Sequence, residues 1–268
     1  MKRRLVKIIA AALLAGVAAA SASRLGSIVN SFPARVNHLM PTGMAYADGY
    51  IWMMYVEGYM AKRAHPSGSV VRTFDFYPHI GSYRGLAYDG SYFWTSYSYR
   101  DPVPRLLKIS PPTMSVVGSY PLSKFNGPLL GLEWDGKYFW MSILDTYYYV
   151  FRVASTGSIV SSFRNPYRYA PGICYVDDLP GGPRLFELNG DVFPPMFYVY
   201  KAPAHTFDYR FYPRHTGARN PGCWDGEYLW TYANHDPGGN EYCYQLVAWE
   251  PDYAVTPASV GKVKALFR

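Results

Sequence analysis

The sequence predicts an all-β chain in which five copies of a four-stranded unit close into a ring. Three observations carry that prediction. The first is a ten-residue segment, Gly131-Leu132-Glu133-Trp134-Asp135-Gly136-Lys137-Tyr138-Phe139-Trp140, which reads as strand, Asp-Gly turn and strand. It returns as Gly85-Leu86-Ala87-Tyr88-Asp89-Gly90-Ser91-Tyr92-Phe93-Trp94, as Trp224-Asp225-Gly226-Glu227-Tyr228-Leu229-Trp230 and, edited, as Tyr46-Ala47-Asp48-Gly49-Tyr50-Ile51-Trp52. A worn fifth copy opens with Gly172-Ile173-Cys174-Tyr175-Val176-Asp177 and ends with Arg184-Leu185-Phe186. The second observation is spacing: Trp52, Trp94, Trp140, Phe186 and Trp230 follow one another at steps of 42, 46, 46 and 44. The third is that no stretch after residue 22 keeps a helical hydrophobic period. A fixed period in the forties, built of strands and turns, is the mark of a β-propeller. Five blades of four antiparallel strands account for the length, with six blades as the alternative.

Taken in order, the chain opens on a segment outside the fold. Lys2, Arg3, Arg4 and Lys7 precede an apolar run of 13 residues, Ile8 to Ala20, and Ala20-Ser21-Ala22 offers a small-x-small cleavage pattern. Residues 1–22 read as a secretory signal, since 13 apolar residues fall short of the ~20 that span a bilayer. The mature chain, 23–268, is then a single domain that is secreted, extracellular or periplasmic, with no transmembrane segment. Four of the 26 basic residues lie in the signal, which leaves 22 against 19 acidic ones and a net charge near +3. With no basic run after residue 22, nucleic-acid binding lacks the clustered cations that it requires.

Each unit divides into four strands, and the units run approximately 43–84, 85–130, 131–171, 172–221 and 222–268. In the second, 85–89 and 92–97 flank the Asp-Gly turn, a dipeptide that suits a tight hairpin. A third strand, 105–110, ends at Pro111-Pro112, because proline cannot donate to a ladder. A fourth covers 115–120. The third unit repeats the series at 131–134, 138–143, 147–153 and 158–163. The fourth strand has its own signature, seen in Ser69-Val70-Val71-Arg72-Thr73-Phe74 and Ser158-Ile159-Val160-Ser161-Ser162-Phe163, more loosely at 205–211, and in Lys262-Val263-Lys264-Ala265-Leu266-Phe267. The mature N-terminus carries another copy, Ser27-Ile28-Val29-Asn30-Ser31-Phe32, within the extra strand 26–32. That makes six fourth strands for five hairpins. The surplus strand either closes its own ring, completes a degenerate sixth blade, or pairs with an exposed edge on another molecule.

The Gly-Leu-x-Trp/Tyr-Asp-Gly-x-Tyr-Phe-Trp hairpin followed by Gly-Ser-Ile-Val-x-Ser-Phe resembles the repeats of secreted bacterial β-propeller proteins, over most of residues 26–267. The resemblance implies the fold and an extracellular setting. It transfers no catalytic residues, because propellers host lectins, hydrolases, lyases and scaffolds alike.

The candidate chemistry is sparse. Asp48, Asp89, Asp135 and Asp225 recur, but each precedes a glycine in what reads as a two-residue turn, which accounts for it. Trp52, Trp94, Trp140 and Trp230 read as packing between blades rather than as sugar platforms. The six histidines show no metal-ligand spacing, there is no Cys-x-x-Cys and no Gly-x-Ser-x-Gly, so no catalytic residue, metal or cofactor is expected. Cys174, Cys223 and Cys243 imply one disulfide and one odd thiol in an oxidising compartment, with the pairing open. Loops that break the repeat, 177–183, 192–196 and 234–242, offer a candidate ligand or partner face on blades four and five. The resulting expectation is a non-enzymatic structural or interaction protein that self-assembles through strand exchange with a protein partner. A glycan-binding propeller is the alternative, and a hydrolase or lyase using Asp177, His235 and Asp236 ranks below it.

Overall fold

The computed structural model describes residues 25–36, 39–75, 82–98, 103–125, 127–144, 148–165, 172–189, 195–213, 218–234 and 241–248. It is a five-bladed β-propeller, each blade a sheet of four antiparallel strands. The first blade holds β2 (Pro41–Ala47), β3 (Tyr50–Tyr55), β4 (Tyr59–Ala64) and β5 (Val70–Asp75). The second holds β6 (Ser82–Tyr88), β7 (Phe93–Ser98), β8 (Arg105–Ser110) and β9 (Ser115–Pro121), and the third β10 (Leu129–Trp134), β11 (Phe139–Leu144), β12 (Tyr148–Val153) and β13 (Ile159–Arg164). The fourth holds β14 (Ile173–Val176), β15 (Arg184–Asn189), β16 (Met196–Lys201) and β17 (Thr206–Phe211). The fifth joins β18 (Ala218–Trp224), β19 (Leu229–Asn234) and β20 (Glu241–Leu246) to β1 (Ile28–Pro33) from the other end of the chain. The first strand of each blade touches that of the next, and β18 touches β2, so these five strands line a closed ring.

The recurring tryptophan wedges the blades together. Trp52 meets Phe93 of the next blade at 4.6 Å between ring centroids, and Trp94 meets Phe139 at 4.9 Å. All four repeat tryptophans are buried, as is Phe186, which pairs with Cys174 across its hairpin as Trp140 pairs with Glu133. A large flat ring at one offset per blade therefore fills the wedge between neighbouring sheets.

The surplus N-terminal strand lies in its own ring. Phe32 sits opposite Cys243 on β20, and Gly26 N–H donates to the Val247 carbonyl at 2.7 Å. Phe32 is buried against Trp230, with ring centroids 5.5 Å apart. Arg63, itself only 3% exposed, donates to the carbonyls of Pro33, Ala34 and Gly68. The Asn30 amide donates to the Pro66 carbonyl at 2.8 Å, and His65 reaches Asp225 at 2.8 Å. First and last blades are thus joined by β1, which enters the last sheet just before the chain builds the first, and by Arg63 of β4 and His65 of the β4–β5 turn. The copy at Lys262–Phe267, the signal segment 1–22 and His235-Asp236 lie outside the described residues.

The hairpins differ from the two-residue turn expected of Asp-Gly. Only Asp48-Gly49 forms one, with φ of 52° and 75° and Ala47 paired to Tyr50. In the others the pairing closes one residue wider on each side, as in Trp134 opposite Phe139, leaving a four-residue loop. The reason is the aspartate side chain. Asp135 Oδ1 accepts from the Lys137 and Tyr138 amides, while Oδ2 accepts from the Trp140 indole at 3.0 Å. Asp89 and Asp225 do the same for Trp94 and Trp230. Asp48 holds no indole, since Trp52 donates to the Ala47 carbonyl instead. The aspartate therefore serves the tryptophan as much as the turn.

Candidate functional site

Along the ring axis the first strands present their residues in registered levels. At the narrowest level stand Gly43, Gly85, Gly131, Gly172 and Gly222, around a void of only about 10 Å³. A Cβ on Gly43 would strike the Gly85 backbone, and one on Gly131 would lie 2.9 Å from the Ile173 amide nitrogen. Glycine is needed because the backbones touch. Since a water needs roughly 10–15 Å³, the axis admits no more than about one at this level.

Above the glycines the ring opens into a cup of about 420 Å³, within the range of small-ligand sites. The residues opposite the tryptophan slot form one level: Ala45, Ala87, Glu133, Cys174 and Cys223. The next residue of every strand is aromatic, giving a belt of Tyr46, Tyr88, Trp134, Tyr175 and Trp224 that lines the cup. Asp89-Gly90, Asp135-Gly136 and Asp177 form the rim.

Glu133 is the one carboxylate at the level of the small residues. It faces the cavity, so some of its surface is open, yet protein encloses it. Desolvation pushes its carboxyl up to about 8, against the smaller opposing effect of hydrogen bonds from the Trp134 and Tyr175 amides. A carboxylic acid that titrates near neutral pH in a cavity is suited to give and take protons. Burial likewise raises the thiols of Cys174 and Cys223 well above their ordinary range, with the Glu133 charge adding to it. Burial, then the surrounding carboxylates, raises the hydroxyls of Tyr46, Tyr88 and Tyr175.

A second buried carboxylate, Glu187, provides a contrast. His205 reaches one of its oxygens at 2.7 Å and Asn165 donates to the other at 2.6 Å. His205 is itself sandwiched between Phe163 and Tyr200. Both oxygens being engaged inside the blade stack, this cluster is a structural tie.

Of the residues singled out in the sequence, Asp89 and Asp135 reach the cup's rim, but their carboxylates are spent on the hairpins. Asp177 reaches the rim as well. All three cysteines are free and buried, so no disulfide forms among them; Cys243 Sγ lies 3.6 Å from Met44 Sδ. Among the described residues no group of three or more His, Cys, Asp or Glu could hold a metal ion, and no helix is long and apolar enough to cross a membrane. Glu133 and the aromatic belt were missed. The available signal was the alignment of the hairpins, which sets a glutamate where other units carry alanine or cysteine, next to an invariant aromatic.

No family model and no curated protein matches the sequence. Among solved structures the chain is similar to Myxococcus xanthus glutaminyl cyclase, with a TM-score of 0.60 at 10% identity, over 82% of this chain and 94% of that one. It also matches the WD40 β-propeller domain of Doa1, with a TM-score of 0.48 at 13% identity, over 80% of this chain and 65% of that one. The likeness to the glutaminyl cyclase shows a shared fold.

Proposed function

We propose that the protein is an enzyme that works at the mouth of its ring, with Glu133 as the acid–base group. The observation that carries this reading is the enclosed Glu133 carboxyl, set among small residues in a cavity of about 420 Å³, where desolvation pushes it up to about 8. Positions that depart from a repeat and shift a pKa toward the working pH are where catalysis is sought. The expectation of a purely structural protein had rested on a spare strand, and that strand is already paired within its own blade.

The reaction we propose is the one named for the similar fold, cyclisation of an N-terminal glutaminyl residue. The α-amine attacks the γ-carboxamide carbon, a ring C–N bond forms, and the bond to the amide nitrogen breaks. Glu133 takes the proton from the attacking amine and returns one to the departing nitrogen, which leaves as ammonia. No oxidant, water or metal is consumed. Tyr88, Trp134 and Tyr175 would hold the substrate's apolar carbons and limit water around the carboxyl. We further propose export directed by residues 1–22, to be checked by N-terminal sequencing of the mature protein.

The test is the mass of a glutamine-initiated peptide after incubation with the purified protein between pH 6 and 9. Loss of one ammonia should proceed above the uncatalysed background, and Glu133→Gln should slow it by about 100-fold or more. A wild-type rate equal to background would sink the cyclase reading.

A further inference from the structure

We propose that the cup is a receptor for organic cations, seating an alkylammonium head group against its aromatic belt. The inference uses the same cavity as the proposed reaction but does not depend on catalysis by Glu133.

The belt has one ring per blade: Tyr46, Tyr88, Trp134, Tyr175 and Trp224. All five are half-buried, so each keeps surface toward the cavity. An aromatic face carries the negative end of its quadrupole, and several faces around one cavity form the arrangement that attracts a diffuse positive charge. Successive first strands of one propeller set equivalent residues around one axis, so a repeated aromatic places five rings around a single cavity.

The second observation is the sign of the surrounding charge. The side chains lining the cup include four acids and no lysine, arginine or histidine; Glu133 holds its proton at neutral pH and Asp135 is paired with Arg152, so the negative charge comes from Asp89 and Asp177. Basic groups near the cup are already engaged: His65, beside the Tyr46 ring, reaches Asp225 at 2.8 Å. Arg152 is paired with Asp135 at 2.8 Å and lies over the Tyr138 ring, and the Lys108 ammonium lies 3.7 Å from the centre of the Tyr92 ring. The hydroxyls of Tyr88 and Tyr175 are raised chiefly by burial and in part by Asp48 and Asp89, and by Asp135 and Asp177, respectively.

The third is shape. The glycine level closes the cup below, so a ligand enters and leaves by one mouth. A long chain cannot thread the ring. A compact head group fits, with any tail directed outward.

Choline and its neutral isostere 3,3-dimethyl-1-butanol test this on the wild-type protein, by calorimetry and tryptophan fluorescence. They share a shape and differ in charge. Choline should bind about tenfold tighter or more, and Trp134→Leu should weaken choline at least about fivefold while circular dichroism stays unchanged. Equal affinities for the two, or no choline binding up to about 100 mM, would overturn the cation site even if Trp134→Leu fails to fold. The two proposals separate cleanly: choline binding without cyclisation removes only the proposed reaction, and cyclisation without choline preference removes only the cage.

Discussion

Glu133 puts function and stability in opposition within a single residue. Its carboxyl has an ordinary value of 4.5 and is raised to about 8 by burial in the folded protein. Between those values the folded state holds a proton that the unfolded state has released. Stability therefore falls as pH rises through this window and levels off above it. Glu133→Gln, which cannot ionise, should escape that loss. We expect the variant to gain stability over wild type on going from pH 5 to pH 8.5, by roughly 3–5 kcal/mol at the upper end, while losing cyclisation. Thermal unfolding across pH measures it. A constant difference between the two proteins would mean that the carboxyl is not raised. Asp225 shows the opposite sign: burial alone would raise it, but hydrogen bonds from Tyr228, Trp230, Glu227 and His65 prevail and hold it below its ordinary 3.8. Its contribution is present above the ordinary value and is lost as pH falls through the folded one.

Among the elements, the hairpin shows what a repeat pattern discloses and what it hides. Period, strand count and turn positions were legible because Trp and Asp-Gly recur at fixed offsets. The wider loops at Asp89, Asp135 and Asp225 were not, because the same Asp-Gly pair suits two turn geometries and only the carboxylate's bond to an indole five residues on chooses between them. Phe186 marks the exception: with no N–H to satisfy, its hairpin has no equivalent aspartate and carries the longer turn after Asp177. Glu133 was hidden for a related reason, since a repeat is read by what is shared and a site is made by what departs. The two turn geometries give a direct test. Asp89→Asn replaces one accepting oxygen with a donor and leaves the Trp94 indole unpartnered or the turn amides unbound, at a cost of about 1–3 kcal/mol. Asp48→Asn should stay within about 0.5 kcal/mol, since asparagine tolerates the left-handed conformation and no indole depends on that side chain. Urea midpoints at unchanged m-values compare the two. Equal losses would refute the division of labour.

For the molecule as a whole, closure of the ring decides whether the cup exists, because its walls come from all five blades. The N- and C-terminal parts of the ring meet where β1 completes the blade of β18 to β20, and the join is asymmetric in strength. Like Val70 and Val71 of β5, Ile28 and Val29 of β1 are exposed; what sets β1 apart is that Phe32 is buried against Trp230 and that Arg63 grips the carbonyls that follow it. Those contacts tie β1 to the first blade as well as to the last. Deleting residues 23–32 should therefore unfold the ring rather than release a folded ring with an open edge. It exposes β20 and strips both the Trp230 face and the Arg63 guanidinium of the Phe32 ring, and loss of that one buried aromatic should cost about 3–5 kcal/mol before the lost ladder is added. Circular dichroism and light scattering of the deletion variant distinguish the outcomes. A folded monomer, or ordered polymers that disperse when a peptide of residues 23–33 is added, would show that the strand is exchangeable. An unfolded chain that the same peptide restores would show that closure by β1 is what holds the five walls of the cup around Glu133.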